Sequence, residues 1–286
     1  MMKEALARRK QQGFEFSERD FERLRELIHR HTGIRMADNR RDLIYGRLSR
    51  RLRKLGLTSF SDYCRLIEQG DDREELEAFR NAVTTNLTAF FREAHHFDYL
   101  AEELLPRLVE QKGAERSLRI WSAGCSTGEE PYTLAMVLRE SIPEFHSWDV
   151  RILATDLDSN VLGKARQGIY EIQSIQRVLG PRLKRWFLRG TGPFQGKARV
   201  KPELQSLVSF REVNLMEGWP MKGAFDIVFC RNVLIYFDKH AQQKLFDRFA
   251  SILQPQGHLF IGHSESPMDL TDRFELIGKS IYRRVK

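Results

Sequence analysis

The chain has 286 residues, and its composition, 41% hydrophobic and 30% charged, is typical of soluble globular proteins. No apolar run approaches the roughly 18 residues that a membrane-spanning helix needs, and the first residues lack the apolar core of a signal peptide. The three cysteines have neither disulfide nor metal-ligand spacing. We therefore expect a cytoplasmic protein of one large domain, alone or with a small companion, that does not insert into membranes.

The net charge of +8 is concentrated in one segment. Seven basic residues lie between Arg40 and Lys54, against the single acid Asp42. On a helix, Arg47, Arg51 and Lys54 would form a basic stripe beside an apolar face. Such a stripe is ordinarily a solvated surface, and the alternative is a docking site for an acidic partner. These three residues are our candidate contacts for an acidic partner.

Residues 1–85 are predicted to form a small all-helical domain. Apolar residues recur there at helical spacing, and Gly56 and Gly70 stand where helices end. Residues 86–92 follow as a linker, in which Asn86 and Thr88 could cap neighbouring helices or fold over a ligand of the next domain. We predict that this linker contacts that ligand and that a large domain occupies residues 93–286.

Residues 117–138 predict a β-strand, a glycine loop and a helix. The loop presents backbone N–H groups and the positive end of a helix to a ligand, yet it matches neither the dinucleotide fingerprint nor the phosphate-binding loop. The acidic pair Glu129 and Glu130 would repel a pyrophosphate and suits a positively charged ligand; alternatively, both carboxylates only complement the helix dipole. S-adenosylmethionine carries a sulfonium, an ammonium and one carboxylate. We therefore predict that Gly124 and Glu129 bind this cofactor.

From residue 118 onward, strands alternate with helices, a pattern that indicates a largely parallel sheet. Asp156 stands at the carboxyl end of the second predicted strand, residues 149–156, where an acidic side chain can accept the hydroxyl groups of a ribose. Asp158 is the competing candidate, and capping of the next helix is the alternative function. We favour Asp156 because it directly follows the strand residues.

Residues 170–205 interrupt this alternation. Two short runs of β-type residues flank the turn-rich residues 190–196, and they predict a small antiparallel β-subdomain inserted into the large domain. Such an appendage has exposed edge strands, and an edge strand can recruit an extended peptide.

The remaining strands complete the predicted sheet. The third ends near Asn214 and Leu215, and the fourth, residues 225–230, is apolar at every position except Asp226, which is typical of a central parallel strand. The residues that follow it, at the edge where ligands of α/β proteins bind, include Asn232, Val233 and Tyr236. A terminal hairpin then completes the pattern of a class I S-adenosylmethionine-dependent methyltransferase, a Rossmann-like α/β fold, here preceded by the all-α domain.

Three other motifs are incomplete. Residues 262–266, GHSES, end in serine where the nucleophile elbow of hydrolases needs glycine. His95 and His96 have no spaced third ligand, so no metal is expected. The fourth strand is followed by CRNVLIYF, whereas amino-directed methyltransferases of nucleic acids usually carry a [DNS]-P-P-[YFW] turn there to hold a flipped base. We therefore expect no hydrolase activity, no metal and no nucleic-acid partner.

Together these segments resemble the CheR family, the chemotaxis receptor methyltransferases that esterify receptor glutamates. The resemblance extends over essentially the whole chain and includes TTNLTAFFREAHHF, SAGCSTGEEPYT, ATDLD, GTGP, VNL and CRNVLIYFD. It implies sensory adaptation in chemotaxis as the function and S-adenosylmethionine, with its product S-adenosylhomocysteine, as the ligand. The cofactor contacts that it implies are Asn86, Thr88, Arg92, Glu129, Asp156, Asn214, Leu215, Asn232 and Val233.

The resemblance also implies the partners. Methyl-accepting chemoreceptors carry acidic methylation helices, which the basic stripe would align. The GTGP loop resembles that of family members that dock a C-terminal receptor pentapeptide, and Gly190, Gly192 and Arg199 are the candidate contacts. The enzyme is expected to act as a monomer.

The reaction on a glutamate needs no general base, because a carboxyl group with a pKa of about 4.3 is already ionised at neutral pH. We expect Arg92 to steer or hold this carboxylate and Tyr236 to orient it by a hydrogen bond. Alternatively, Arg92 only pairs with the cofactor's carboxylate and Tyr236 is a packed aromatic residue. Two other functions remain open: a nucleic-acid methyltransferase, and a non-catalytic module that senses S-adenosylmethionine.

Overall fold

The structure is a computed structural model that describes residues 13–221 and 223–286. Its chain divides into two compact units, the first ending at Thr84 and the second beginning at Thr85. Residues 1–12, which belong to the predicted helical domain, lie outside the described residues. Nowhere in the described ranges is a helix both long enough and apolar enough to cross a membrane.

Residues 13–84 of the first unit contain four amphipathic helices. They are α1 (Glu18–Thr32), α2 (Arg41–Leu55), α3 (Phe60–Gln69) and α4 (Arg73–Val83), with a 3-10 turn at Asp38–Arg40. The side chain of Ser17 accepts the Asp20 N–H at the start of α1, and Gly56 ends α2 in the left-handed conformation that glycine adopts at low cost. The apolar faces of the helices meet in a core whose fully buried members include Leu24, Leu48, Phe60 and Phe79.

A mixed seven-stranded sheet forms the centre of the second unit. Five parallel strands come first: β1 (Ser117–Ala123), β2 (Asp149–Asp156), β6 (Val208–Glu212), β7 (Phe225–Cys230) and β8 (Leu253–Ile261). A hairpin of β9 (Phe274–Gly278) and β10 (Ile281–Arg284) pairs antiparallel with β8, giving the order β6-β2-β1-β7-β8-β10-β9. This is the predicted α/β architecture with its terminal hairpin.

Helices cover both faces of this sheet. They are α5 (His95–Tyr99), α6 (Leu105–Gln111), α7 (Glu129–Ser141), α8 (Ser159–Gln167) and α12 (Lys239–Ile252), and a π-helical turn at Leu100–Leu104 joins α5 to α6. Every residue of β7 is buried, as expected for a central parallel strand. Phe229 on β7 stacks on Phe260 of β8 with 4.2 Å between the ring centroids. Two apolar clusters, one for each face, therefore fix the sheet on which the site is built.

A small antiparallel sheet is inserted between α8 and β6. It has three strands, not the two that the sequence predicted: β3 (Ile169–Glu171), β4 (Phe187–Arg189) and β5 (Lys197–Val200), in the order β3-β5-β4. The unpredicted β3 has only three residues, too few to show an alternating pattern. Short helices complete the insert at α9 (Ile172–Leu179), α10 (Pro181–Trp186) and α11 (Pro202–Gln205). Glu140 of α7 anchors it by accepting the Trp186 Nε1–H at 2.6 Å and pairing with Arg182 at 2.8 Å.

A buried histidine in β8 makes the stability of the second unit depend on pH. Burial, with the nearby charges of Arg283 and Arg107, lowers the pKa of His258 from 6.5 to about 4. The folded state therefore keeps the imidazole neutral, whereas the unfolded chain takes up a proton as the pH falls below 6.5. Stability from this residue is present above that pH and is lost progressively on acidification.

We expect the free energy of unfolding of the wild type to fall between pH 7 and pH 5 by about 1–2 kcal/mol more than that of His258→Gln. The measurement is urea unfolding followed by tryptophan fluorescence, which reports the second unit because all four tryptophans lie there. His240→Gln, on the exposed face of α12, is the matched control and should keep the wild-type slope. Parallel pH curves for the wild type and His258→Gln would contradict this account.

Candidate active site

The carboxyl ends of β1, β2 and β7 lie side by side at one edge of the central sheet. Ala123, Asp156 and Cys230 are the last residues of these strands, and the loops that follow them carry the predicted residues Gly124, Asn232, Val233 and Tyr236. Parallel strands place these loops together, because all of them leave the sheet at the same edge. The linker, residues 86–92, joins them through the contacts described below.

The loop after β1 is held by the neighbouring strands. The N–H groups of Gly124 and Cys125 both donate to the carbonyl of Thr155, at 2.8 and 2.9 Å. Gly124 has a φ of 82°, and a Cβ there would lie 2.4 Å from Cγ2 of Val233. Glycine is therefore required by the chain's own Val233 as well as by the turn, so these two predicted site residues lie in contact.

Asp156 is fixed at the end of β2 by two backbone hydrogen bonds. Its Oδ2 accepts the Ser126 N–H at 2.8 Å and its Oδ1 accepts the Asp158 N–H at 3.0 Å. Burial raises the pKa of Asp156, although these N–H groups oppose the shift. Each carboxylate oxygen retains a second acceptor position, which is the capacity that a pair of ribose hydroxyls requires.

Asp158, the competing candidate, caps a helix. Its Oδ1 accepts the Asn160 N–H at 2.9 Å at the start of α8, and its Oδ2 accepts the Asn86 Nδ2–H at 2.7 Å. The Asn86 carbonyl in turn accepts the Ser126 hydroxyl at 2.9 Å. The linker is thus attached to the loops after β1 and β2, which places Asn86 at the site edge. Thr88 lies two residues further on and is half-buried.

The two acidic residues at the start of α7 lie in different environments. Glu130 accepts the Ser122 hydroxyl at 2.7 Å and pairs with Arg231 at 3.1 Å, so it belongs to the protein's own network. Glu129 accepts the Thr127 hydroxyl at 2.7 Å, and among the described residues no basic side chain pairs with it. Burial raises the pKa of the Glu129 carboxyl, a shift that a cationic ligand beside it would reverse.

Arg231 links three segments of the site, and its role was not predicted. Its side chain is 2% exposed and lies 3.1 Å from Glu130 and 3.4 Å from Glu93, while its Nη2 donates to the Arg92 carbonyl. Burial alone would raise the pKa of Glu93, but a hydrogen bond from His263 and the charge of Arg231 hold it below the ordinary value. The sequence signal was a charge directly after a fully buried strand, at the edge of the sheet where ligands bind.

The loop after β7 has its own buried anchor, Glu265. Asn232 has a φ of 59°, its N–H donates to Glu265 Oε2 at 2.9 Å, and its Nδ2 donates to Glu93 Oε1 at 3.3 Å. The Ile235 N–H donates to Glu265 Oε1 at 3.2 Å. Glu265 appeared in the sequence only as part of the incomplete nucleophile elbow, and its actual contacts are backbone N–H groups.

Two further predicted residues, Asn214 and Leu215, lie in the loop after β6. Asn214 closes its own turn, donating to Glu217 at 2.9 Å and accepting the Met216 N–H at 3.0 Å. Leu215 is buried, and its carbonyl accepts the Trp219 Nε1–H at 3.1 Å.

Arg92 and Tyr236, the predicted catalytic pair, are both half-buried. Arg92 Nη1 donates to the Leu87 carbonyl at 2.8 Å, within the linker. Tyr236 ends the 3-10 turn Leu234–Tyr236, and its hydroxyl has no hydrogen-bond partner in the part of the chain that the structure describes. Each therefore has a polar group with capacity for a further ligand.

Comparison with known proteins identifies the family. The model of the CheR methyltransferase all-alpha domain matches residues 19–84, and that of the CheR methyltransferase SAM binding domain matches residues 86–283. This chain belongs to the CheR methyltransferase family. It is 47% identical over 272 residues to chemotaxis protein methyltransferase 2 of Pseudomonas aeruginosa, with 95% of each chain covered. It is also 46% identical over 268 residues to the chemotaxis protein methyltransferase of Escherichia coli, covering 93% of this chain and 91% of the relative.

These matches confirm the predicted family, fold class and cofactor. The CheR SAM binding domain holds S-adenosylmethionine, and the groups at the sheet edge fit this ligand. Asp156 is a fixed, buried carboxylate whose remaining acceptor positions suit ribose hydroxyls, and Glu129 is a carboxylate with no basic partner among the described residues. The ligand's positive charges complement this acidic edge. The individual cofactor contacts remain predictions.

The basic stripe of the CheR all-alpha domain differs from the prediction at two of its three residues. Arg51 forms a bidentate ion pair with Glu75, which is 3% exposed and also accepts the Tyr63 hydroxyl at 2.7 Å. Arg47 donates to the carbonyls of Val83 and Thr84, at 3.1 and 2.6 Å, at the end of α4. The third residue, Lys54, is exposed. Arg47 and Arg51 therefore hold α2 against α4, and the free basic surface is made by other residues.

The three predicted peptide contacts of the insert lie in different environments. Gly190 is required by the turn, because a Cβ there would lie 2.1 Å from the Phe194 carbonyl oxygen. Gly192 has a φ of 56° and open space around it. Arg199 is exposed on β5, the central strand, so the available edge strands are β3 and β4.

The stated reason for expecting no metal at His95 and His96 was wrong. His95 and His96 do have a third potential ligand: atoms of Glu93, His95 and His96 lie within 4.8 Å of one another. His96 is fully buried with Nε2 3.0 Å from the Lys279 carbonyl, and burial, followed by the charge of Arg231, lowers its pKa to about 3. Arg231 also lies 3.4 Å from Glu93, and its positive charge opposes a cation there. The absence of metal stays a prediction.

Proposed function

We propose that this CheR family member transfers the methyl group of S-adenosylmethionine to glutamate side chains of bacterial chemoreceptors, forming γ-carboxyl methyl esters that serve sensory adaptation. The observation that carries the proposal is the spare hydrogen-bonding capacity of Arg92 and of Tyr236 in a chain whose carboxylates Glu93, Glu130 and Glu265 are engaged within the protein. Such a site suits an anionic acceptor. The proposed substrate implies that the protein works in the cytoplasm, and we take it to act as a monomer.

Three of the site's carboxylates add little repulsion toward a receptor glutamate. Glu130 and Glu93 share the guanidinium of Arg231, and Glu265 is surrounded by backbone N–H groups. Their charges are thus compensated within the protein. The side chains available for an incoming carboxylate are those of Arg92 and Tyr236.

The cofactor supplies an electrophilic methyl on its sulfonium, and the acceptor is already a nucleophile as the carboxylate. The protein's task is to exclude water and to align the acceptor oxygen with that methyl. We assign the holding of the carboxylate to Arg92 and its orientation to the Tyr236 hydroxyl. The further cofactor contacts are proposed to come from Asn86, Thr88, Gly124, Glu129, Asp156, Asn214, Leu215, Asn232 and Val233.

The deciding experiment is transfer of labelled methyl from S-adenosylmethionine to a chemoreceptor cytoplasmic fragment, followed by mild alkali. We expect base-labile label that is released as methanol, because a carboxyl ester hydrolyses in alkali. Label that survives alkali would contradict the proposal and indicate N-methylation. Cofactor binding without transfer to any of a panel of receptor fragments would favour a sensing module, and transfer to nucleic acid would favour the other alternative.

Arg92 and Tyr236 should contribute unequally to the rate. With saturating cofactor, Arg92→Ala is expected to lower kcat about 100-fold, because it removes a charge that holds the acceptor. Tyr236→Phe should lower kcat about 10-fold, because it removes one neutral hydrogen bond. Initial rates of receptor methylation measure both. A wild-type kcat for Arg92→Ala at saturating cofactor would show that Arg92 only pairs with the cofactor. A larger loss of kcat in Tyr236→Phe than in Arg92→Ala would also contradict the assignment.

An acidic receptor helix has a basic counterpart on α2 of the first unit. The exposed basic residues of this helix are Arg50, Arg53 and Lys54, whereas Arg47 and Arg51 are engaged within the unit. Opposite charges of this kind raise the rate and affinity of encounter and lose their effect in salt. We therefore assign receptor alignment to the exposed residues.

Lys54 and Arg51 provide a matched pair for testing this assignment. Lys54→Glu is expected to raise the KM for the receptor by about three- to tenfold at low salt, with unchanged stability and cofactor affinity. Arg51→Ala should instead destabilise the first unit by about 3 kcal/mol, because it leaves the buried Glu75 without its cation. Methylation kinetics at two salt concentrations and thermal unfolding distinguish the two effects. A large loss of stability in Lys54→Glu, or an unchanged KM, would contradict the assignment.

The insert is the proposed docking site for a receptor's C-terminal pentapeptide. Its edge strand β4 carries Leu188, which is 49% exposed, and the adjoining turn carries Phe194, which is 53% exposed. An extended peptide could pair with this edge and place apolar side chains beside those residues. Gly190, Gly192 and Arg199 remain the candidate contacts.

A further inference from the structure

Glu265 is a buried carboxylate held by backbone groups. The residue is 8% exposed, and no lysine, arginine or histidine of the described ranges forms an ion pair with it. Its oxygens accept three N–H groups, from Gly262 at 2.5 Å, Asn232 at 2.9 Å and Ile235 at 3.2 Å. A buried charge is costly unless it is well hydrogen-bonded, so this arrangement needs all of these donors.

The two oxygens of Glu265 serve different halves of the loop after β7. Oε2 holds Gly262, at the end of β8, together with Asn232, which has the left-handed φ of 59°. Oε1 holds Ile235 in the middle of the 3-10 turn that ends at Tyr236. The first half carries proposed cofactor contacts, and the second carries the proposed acceptor-orienting hydroxyl.

Gly262 allows this close approach. A Cβ at this position would lie 2.5 Å from Asn232 Nδ2, 2.8 Å from Glu265 Oε2 and 2.9 Å from the Asn232 backbone nitrogen. No side chain fits there without moving either the carboxylate or Asn232. The glycine, the carboxylate and the left-handed asparagine therefore form one unit at the carboxyl ends of β7 and β8.

We propose that Glu265 is a positioning residue that orients the two reactants separately: Oε2 sets Asn232 for the cofactor, and Oε1 sets the turn that presents Tyr236 to the acceptor carboxylate. This inference rests on the proposed function. It assigns to Glu265 no contact with either reactant. Its effect on the rate passes through the backbone of the loop after β7.

Glu265→Gln keeps the shape of the side chain and changes only its hydrogen bonds. In Glu265→Gln, the amide oxygen belongs at the Oε2 position, because two N–H donors converge there and an NH2 group would face both of them. The amide NH2 then faces the Ile235 N–H, and that hydrogen bond is lost. The cofactor half of the loop stays anchored while the Tyr236 turn is released.

The experiment compares Glu265→Gln with the wild type in two assays. Calorimetric titration with S-adenosylhomocysteine is expected to give a Kd within about threefold of the wild type, whereas kcat for receptor methylation falls about 10-fold. Combining Glu265→Gln with Tyr236→Phe should lower kcat no further than the larger single effect, because both changes act at the same hydroxyl. Additive losses in the double variant, or a wild-type kcat in Glu265→Gln, would overturn the proposal.

Asp226→Asn is the matched structural control. Asp226 is also a buried carboxylate that accepts a backbone N–H, from Arg119 at 2.7 Å, but it lies near the opposite end of β7 and pairs with Lys112. Its substitution should lower the melting temperature and leave kcat and Kd unchanged. An equal loss of kcat in Asp226→Asn and Glu265→Gln would assign the effect to general destabilisation and overturn the proposal.

Gly262→Ala tests the other oxygen and does not depend on the folding of Glu265→Gln. Its methyl group would displace Asn232 and Oε2, so the Kd for S-adenosylhomocysteine should rise about 10-fold, with a smaller change in kcat at saturating cofactor. An unchanged Kd would overturn the assignment of Oε2. A wild-type protein that forms no ester contradicts the proposed function instead, while these Kd comparisons still test the cofactor half of the proposal.

Discussion

The buried guanidinium of Arg231 is the interaction on which the site depends. It lies between Glu93 and Glu130, donates to the Arg92 carbonyl, and stands over the ring of Phe97 with 5.5 Å to the centroid. These partners come from the end of the linker, the start of α7 and the start of α5. Removing Arg231 would leave two carboxylates without their cation in a nearly dry environment. A single cation thereby fixes the geometry of three chain segments.

Four residues of the same region have strained backbones. Phe91, Glu93, Ser126 and Asn232 all have positive φ values, between 49° and 59°, although none is glycine. Each such residue costs free energy that the surrounding contacts must offset. Ser126 is held by Asp156, and Asn232 is held by Glu265 and Glu93. The buried carboxylates thus stabilise backbone conformations as well as carrying charge, and this accounts for their number at one edge of the sheet.

The sequence predicted the fold class, family and cofactor correctly, because these depend on patterns that are local in the chain. The predicted bounds of strands β2 and β7 match the observed bounds. The three-residue β3 was not found. Glu93, Arg231 and Glu265 were not identified as site residues, because their partners are remote: Glu93 and Asn232 are 139 positions apart. Likewise, the helical pattern placed Arg51 on the correct face of α2, but it did not show that the buried Glu75 lies opposite this residue.

The connections of the insert suggest how this part of the molecule could change without disturbing the rest. The Val200 N–H donates to the Gly168 carbonyl at 2.9 Å, so the chain enters and leaves the small sheet at adjacent points. Strand β6 pairs with β2 in its own register, from Ile152 opposite Val208 to Asp156 opposite Glu212. Loops with neighbouring ends tolerate exchange well. An exchanged insert would therefore leave the register of β6 on β2 in place, but it would have to replace the hydrogen bond from the Tyr170 hydroxyl to the Thr127 carbonyl in the glycine loop.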